Sequence, residues 1–158
     1  MTLDKSSGAI SGTPTKAASA SVTITAPPQG TTTKNQQTFT LTIHKGAADL
    51  GTLKVTNGGT KTTTFTYGDT ITVSGTIKAS GTAPLAAPGK NQAALLLGGT
   101  QLTDPVAVAG NGSFTISYKT SEKGIQTTGQ AQILTVKYGG SDDLNEGSAA
   151  CSITLNPK

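Results

Sequence analysis

The sequence predicts an all-β protein whose strands form an antiparallel β-sandwich. The 158 residues include 30 threonines and 20 glycines, and β-branched residues such as threonine suit the pleated surface of a strand better than a helix. Apolar and polar residues alternate with a period of two in several segments, as strands with one buried face require. Short turn-forming clusters separate these segments, a spacing that is typical of sandwiches.

Four segments carry the clearest alternation, and their apolar residues are predicted to face a common core. These residues are Leu53 and Val55; Ile71, Val73, Ile77 and Ala79; Phe114, Ile116 and Tyr118; and Leu134, Val136 and Tyr138. The Asn111-Gly112 pair lies between two alternating runs. An Asn-Gly pair in that position predicts a β-hairpin with a primed turn, which needs positive φ angles.

The chain divides into two parts near His44, where the TFTLTI run stops and alternation restarts only at TLKVT. We expect a partial module with three short strands over 1–44 and a linker over 45–51. A complete sandwich of about seven strands is expected over 52–158. Because Gly and Ala follow a strand run in the linker, we expect it to be exposed and readily cleaved by proteases.

The first part resembles the putative-Ig (cadherin-like) modules of bacterial surface proteins. The residues that carry this resemblance are Leu3-Asp4, Gly8, Ile10, Gly12-Thr13-Pro14-Thr15, Ala17 and the run Thr38–Ile43. Modules of that family usually have further strands before the Leu-Asp pair, so residues 1–44 resemble a truncated module. Its apolar face is then expected to dock against the second part or to pair with a second copy in a weak homodimer.

The second part resembles bacterial Ig-like repeats at two places. The segment Thr66–Val73 is similar to their T-Y-G-x-x-V-T-L pattern, and Tyr138–Ser148 is similar to their late Y-x-G-D segment. Leu144 departs from the pattern, because the repeats often have tyrosine there. Together the two resemblances imply an Ig-like architecture and an extracellular or bacterial cell-surface setting, but no shared ligand.

The charge pattern argues against nucleic-acid binding, although the chain has a net charge of +4. All 12 basic residues are lysines, whereas the arginine guanidinium carries much of bidentate phosphate and base recognition. The lysines also stand singly along the chain. The sequence has neither a signal-peptide pattern at its start nor an apolar run long enough to span a membrane, so an export signal is expected to lie outside these residues.

Two loops contain residues that are typical of a metal-binding or a glycosylation site. Asp142-Asp143, with Asn145 and Glu146, is the densest acidic segment; a solvated loop is the favoured interpretation and a Ca²⁺ site the alternative. Asn111-Gly112-Ser113 matches a glycosylation sequon, but a turn needs the same residues. No metal, cofactor or other site residue is assigned from these patterns.

Other chemistry has little support in the sequence. Some surface Ig-like modules join a lysine of the first strand to an asparagine of the last by an amide bond, and Lys54 and Asn156 resemble that pair in their sequence positions, yet the alternation turns Lys54 towards solvent. Cys151 is predicted to be a small buried side chain, and His44 has no catalytic partner motif. Tyr67 and the loop Leu85–Pro88 form the one candidate sugar-binding platform.

The sequence therefore predicts a non-catalytic structural or adhesion module of a secreted or cell-surface bacterial protein. The alternative is a carbohydrate-binding module attached to an extracellular enzyme. Expected partners are neighbouring Ig-like modules of the same protein and a host or cell-surface protein or glycan; no cofactor is expected.

Overall fold

A computed structural model describes residues 1–26, 35–79, 91–122 and 125–158. Within these ranges the regular structure consists of β-strands and contains no helix. The strands are β1 (Thr2–Leu3), β2 (Ile10–Ser11), β3 (Ala18–Ala26), β4 (Asn35–Ile43), β5 (Ala48–Asp49), β6 (Lys54–Asn57), β7 (Thr60–Lys61), β8 (Thr64–Thr66), β9 (Thr70–Thr76), β10 (Lys78–Ala79), β11 (Gln92–Leu97), β12 (Thr100–Gln101), β13 (Val106–Ala107), β14 (Ser113–Lys119), β15 (Ala131–Tyr138) and β16 (Gly147–Asn156).

Two sheets form the larger part of the molecule. The first has six strands, in the order β12-β11-β15-β16-β8 with β13 also paired to β11, and the second has four, in the order β14-β9-β6-β7. The two sheets share one hydrophobic core. Strand β14 shows how they pack, because its burial alternates strictly between exposed and buried residues. The all-β, Ig-like sandwich predicted from the sequence is therefore confirmed.

The core includes the residues that the alternation selected, apart from Ala79, whose side chain lies outside the described part. It also contains residues that the four segments did not predict: Leu50, Phe65, Ala93, Leu95, Leu97, Val108, Leu144, Ile153 and Leu155. Ile71, Val73, Leu134, Val136 and Tyr138 are completely buried. Also buried are Val55, Ile77, Phe114, Ile116 and Tyr118. Leu53 is partly buried and packs against this cluster. At about 25 cal/mol per Å² of apolar surface removed from water, such burial is the main force that holds the two sheets together.

Glycine pairs form primed turns in this sandwich, whereas the predicted turn at Asn111-Gly112 is present but is not primed. Gly58-Gly59 and Gly98-Gly99 have φ angles of 55° and 87° in both pairs, and they close the two-residue turns of β6–β7 and β11–β12. At Asn111-Gly112 the Gly112 N–H donates to the Ala109 carbonyl at 2.8 Å, and the Ala109 N–H donates to the Ser113 carbonyl at 2.9 Å, but only Gly112 has a positive φ, of 83°. The strands on its two sides enter different sheets, since β13 pairs with β11 and β14 pairs with β9.

The predicted linker 45–51 packs against the sandwich through Ala48 and Leu50, while Lys45, Ala47, Asp49 and Gly51 are exposed. Gly46 forms a parallel bridge with Leu144. Strand β5 pairs with β10, and Leu50 is only 3% exposed and belongs to the core. The exact domain boundary stays a prediction, but the chain is already held by the second part at residue 46.

Residues 1–44 form two small antiparallel pairs. Strand β1 pairs with β2, and β3 pairs with β4 over nine facing residue pairs. Of the three predicted strands, the first, around Ile10, is the short strand β2, and the other two are the long strands β3 and β4; strand β1 was not predicted. Within the described residues, β3 and β4 form a sheet of two strands only.

The Leu-Asp motif at the start of the chain forms a tight turn. The Asp4 carboxylate accepts hydrogen bonds from the backbone N–H groups of Ser6 and Ser7, at 2.8 and 3.1 Å. These two bonds favour the ionised form and lower the pKa of Asp4. Gly8 has a φ of 73° and donates to the Asp4 carbonyl at 2.8 Å. The turn thus explains why this motif needs both aspartate and glycine.

Candidate functional site

The acidic loop after β15 is a compact turn. The Ser141 hydroxyl accepts hydrogen bonds from the N–H groups of Asp143 and Leu144, at 3.3 and 3.1 Å. The Ser141 N–H donates back to the Leu144 carbonyl at 2.9 Å. Leu144 is completely buried and Asp143 is 8% exposed. Leucine replaces the tyrosine of the family pattern here, and its side chain is part of the core.

Asp143 connects residues 1–44 to the sandwich. Its carboxylate accepts a hydrogen bond from the N–H of Ala17 at 2.8 Å, and its carbonyl accepts one from the N–H of Gly46 at 2.9 Å. Lys45 donates its ammonium to the Ser141 carbonyl at 2.6 Å. The loop is therefore a joint between the two parts of the chain. The sequence pattern, which was interpreted as a solvated loop, did not indicate this role.

The joint has no ligand set that we can assign to a metal. Among residues 1–26, 35–79, 91–122 and 125–158 there is no group of three or more His, Cys, Asp and Glu side chains that could hold an ion. One Asp143 carboxylate oxygen is already used by the Ala17 N–H. The calcium alternative stays a prediction without support from geometry.

The entry and exit of the sandwich lie at opposite ends of its last strand. The bridge between Gly46 and Leu144 places the incoming chain beside the loop that precedes β16. The outgoing chain leaves at the other end of β16, a strand of 10 residues. At ~3.3 Å per residue such a strand is about 33 Å long. Flanking segments would thus be attached in series, with the sandwich between them.

Strand β16 is hydrogen-bonded along most of one edge and, at Thr154–Asn156 only, along the other. On one side it pairs antiparallel with β15 from Ala131↔Thr154 to Tyr138↔Gly147. On the other side it pairs in parallel with β8. The Thr154 N–H donates to the Thr63 carbonyl at 2.7 Å, and the Tyr67 N–H donates to the Asn156 carbonyl at 3.1 Å. A force along β16 therefore acts on many backbone hydrogen bonds at once.

The T-Y-G-D turn beside this strand is stabilised by hydrogen bonds to a buried hydroxyl group. Thr120 is 1% exposed. Its hydroxyl accepts a hydrogen bond from the Gly68 N–H at 2.8 Å and lies 3.0 Å from the carbonyl oxygens of both Thr66 and Asp69. The Asp69 carboxylate in turn accepts from the Thr66 N–H at 2.8 Å. These contacts fix the turn that joins β8 to β9.

The aromatic residues are divided between core and surface. Tyr67 is 47% exposed, in agreement with the predicted platform, whereas Tyr118 and Tyr138 are buried. The second half of that platform, Leu85–Pro88, lies outside the described residues. The geometry therefore places one aromatic side chain at the candidate sugar-binding position.

The remaining candidates stay apart from one another. Lys54 is exposed, as the alternation predicts. Cys151 is partly buried against the core, and burial raises the pKa of its thiol above the ordinary value of 9.0. At Asn111 the side chain accepts hydrogen bonds from the N–H and hydroxyl of Ser113, at 3.0 and 2.7 Å, so it serves the turn. His44 is exposed and directly follows β4.

The lysines on the described strands of the sandwich are solvent-exposed. Lys137 lies 3.6 Å from Glu146, and both side chains are more than half exposed. Such a pair contributes about 0–1 kcal/mol. The other lysines with exposed positions on the sheets are Lys54, Lys61, Lys78 and Lys119.

Comparison with known proteins identifies one part of the chain. Residues 1–44 match the family model described as Putative Ig domain. This match covers β1 to β4 and supports an Ig-like module there. No curated protein matches the chain. In the ranges that the structure describes, we find no helix long and apolar enough to cross a membrane.

Proposed function

We propose that this chain is a non-catalytic Ig-like module of a secreted or cell-surface bacterial protein, where it acts as a spacer between neighbouring modules. The match to an Ig-like family supports a structural or interaction role in general. The single observation that favours a spacer is that the chain enters and leaves the sandwich at opposite ends of β16. Gly46 is bonded beside Leu144, while the chain leaves beyond Asn156.

The bonding of the last strand supports the same proposal. A strand pulled along its own axis loads all its backbone hydrogen bonds together, whereas a strand pulled sideways loads them one after another. Strand β16 is held by β15 and β8 and ends where the chain leaves the sandwich. The module would therefore resist a force applied along the chain. Its partners would be the modules before and after it and a host or cell-surface protein or glycan at the distal end. Nucleic acid is not among the proposed partners, because all 12 basic residues are lysines and they stand singly along the sequence.

A distance measurement tests the spacer. Spin labels are attached to His44→Cys and Pro157→Cys in a Cys151→Ala background. Pulsed electron paramagnetic resonance then gives the distribution of distances between the two labels. We expect a narrow peak at roughly 35–40 Å, from the length of β16 and the loop before it. A matched pair, Gln130→Cys with Pro157→Cys, should give a much shorter distance, because Ala131 pairs with Thr154. A broad distribution for the first pair would contradict a rigid spacer.

The second candidate function, a carbohydrate-binding module attached to an extracellular enzyme, is favoured by the exposure of Tyr67. An aromatic ring that is 47% exposed offers a flat face for stacking on a sugar ring. A polysaccharide pull-down tests it. Saturable binding that is lost in Tyr67→Ala and kept in Phe39→Ala, another exposed aromatic, would support this function. Equal behaviour of the two variants would reject it.

A further inference from the structure

The β3–β4 hairpin has one polar and one apolar face. On the polar face, Ser19 bonds to Thr42 and Thr23 bonds to Thr38 through their hydroxyls, at 3.1 and 2.8 Å. The opposite face carries Ala18, Ala20, Val22, Ile24 and Ala26 of β3 beside Ile43, Leu41, Phe39, Gln37 and Asn35 of β4. The apolar face contains no charged residue, although the chain as a whole has a net charge of +4.

The apolar face is open within the described part of the chain. Phe39 is 37% exposed, and Val22, Ile24, Leu41 and Ile43 are half-buried. The hairpin side chains do not belong to the core of the sandwich. A two-stranded hairpin is marginally stable on its own in water, and an open apolar sheet face favours association.

The register of the hairpin makes this face complementary to itself. At the Ala18 end of the hairpin the smaller residue lies on β3 and the larger one directly opposite on β4, since Ala18 faces Ile43 and Ala20 faces Leu41. A twofold axis parallel to the strands, placed between two stacked hairpins, lays β4 of one copy over β3 of the other at the same level. Leu41 then packs over Ala20 of the partner, and Ile43 over the partner's Ala18. Large side chains lie over small ones at this end of the stack, whereas the pairs at Ile24 and Ala26 do not follow this pattern.

We propose that the apolar face of the β3–β4 hairpin binds the same face of a second copy of this chain, forming a twofold-symmetric four-stranded sandwich. Because the face is uncharged, this contact brings no like charges together. Nine residues per strand and two strands give a face of about 31 by 10 Å, so the contact buries roughly 600 Å² in total. Stable complexes bury about 1,200–2,000 Å². The contact is smaller than this range, so we expect a weak dimer and take a Kd on the order of 1 mM as the value to test.

Sedimentation equilibrium of the full 158-residue chain over about 0.02–2 mM tests the proposal at concentrations on both sides of that Kd. We expect a monomer at the low end and a growing dimer fraction at the high end. Leu41→Lys should weaken dimerisation at least about tenfold, because a charge would be buried in each half of the contact. Thr40→Lys adds the same charge to the polar face and should leave dimerisation unchanged.

Two further variants separate this contact from other kinds of association. Ala20→Leu removes the space for Leu41 of the partner, so it should weaken the dimer; non-specific apolar association would instead become stronger. Ile133→Lys alters the largest exposed aliphatic side chain of the six-stranded sheet, which is 54% exposed, and should have no effect. A chain that stays monomeric at all concentrations would overturn the proposal. A dimer that is sensitive to Ile133→Lys but not to Leu41→Lys would overturn it as well.

Discussion

Replacing Thr120 by valine should destabilise the turn between β8 and β9. Valine has nearly the same shape as threonine but lacks the hydroxyl, which accepts from the Gly68 N–H and donates to a carbonyl at Thr66 or Asp69. Two hydrogen bonds at about 1 kcal/mol each predict a loss of about 2 kcal/mol in the free energy of unfolding. Gly68 is exposed, so water can replace part of its bond, and the figure is an upper value.

The effect of this substitution is measurable by urea and thermal unfolding followed by circular dichroism. A loss of about 2 kcal/mol corresponds to a fall in Tm of roughly 4–8 °C for a chain of this size. Thr120→Ser is the matched control, since it keeps the hydroxyl and loses one methyl group, at a cost of about 0.5–1 kcal/mol. If the valine variant were as stable as the original chain, or if the serine variant lost as much stability as the valine variant, the Thr120 hydroxyl would not be what stabilises the turn.

Three other substitutions or conditions have defined outcomes. Asp143→Ala should raise the hydrogen-exchange rate of the Ala17 amide while the melting temperature of the sandwich falls by only a few degrees, about 1 kcal/mol. Gly75→Ala should destabilise by about 1–3 kcal/mol in chemical unfolding, because its Cβ would lie 2.8 Å from the Phe114 ring. The Cys151 thiol, whose pKa is raised by burial, should react with a disulfide reagent at pH 8 far more slowly in the folded chain than in urea.

The raised thiol pKa also fixes the direction of one pH effect. Between the ordinary thiol pKa of 9.0 and the higher folded value, the unfolded state holds fewer protons than the folded state. The contribution of Cys151 to stability is therefore complete below pH 9 and lost as the pH rises through the folded pKa. Cys151→Ala should remove this part of the alkaline loss of stability in unfolding curves, and an unchanged loss would assign it to other groups.

The core was predictable because its signal is local. A buried strand face needs an apolar residue at every second position, and segments such as Phe114–Tyr118 show this without reference to the rest of the chain. The primed turns follow the same logic, since only glycine readily adopts the positive φ of Gly58-Gly59 and Gly98-Gly99.

The predictions that failed depend on partners far away in sequence. Leu50 lies among Gly, Ala and Asp residues, so its segment was predicted to be a linker; its burial comes from strands that the chain forms much later. The turn at Asn111-Gly112 forms as predicted, but it is not primed, and its flanking strands β13 and β14 pair with β11 and β9 instead of extending the hairpin. The role of Asp143 was also hidden, because its partner Ala17 is 126 residues away.

The open face of the hairpin could be predicted only in part. Alternation in β3 and β4 predicted that residues 1–44 would have an apolar side, and their sequence resemblance predicted a module with strands missing. The small-to-large pairing of Ala20 with Leu41 required the register, which the sequence alone leaves undetermined.

The unfolding force in two pulling directions tests most directly whether this module carries load along the chain. Single molecules with Cys151→Ala are pulled either between His44→Cys and Lys158 or between Gln130→Cys and Lys158. The first direction loads β16 along its axis, whereas the second peels it from β15 one pair at a time, starting near Ala131↔Thr154. We predict a several-fold higher unfolding force in the first direction. Equal forces, or a lower force between His44 and Lys158, would contradict the spacer function.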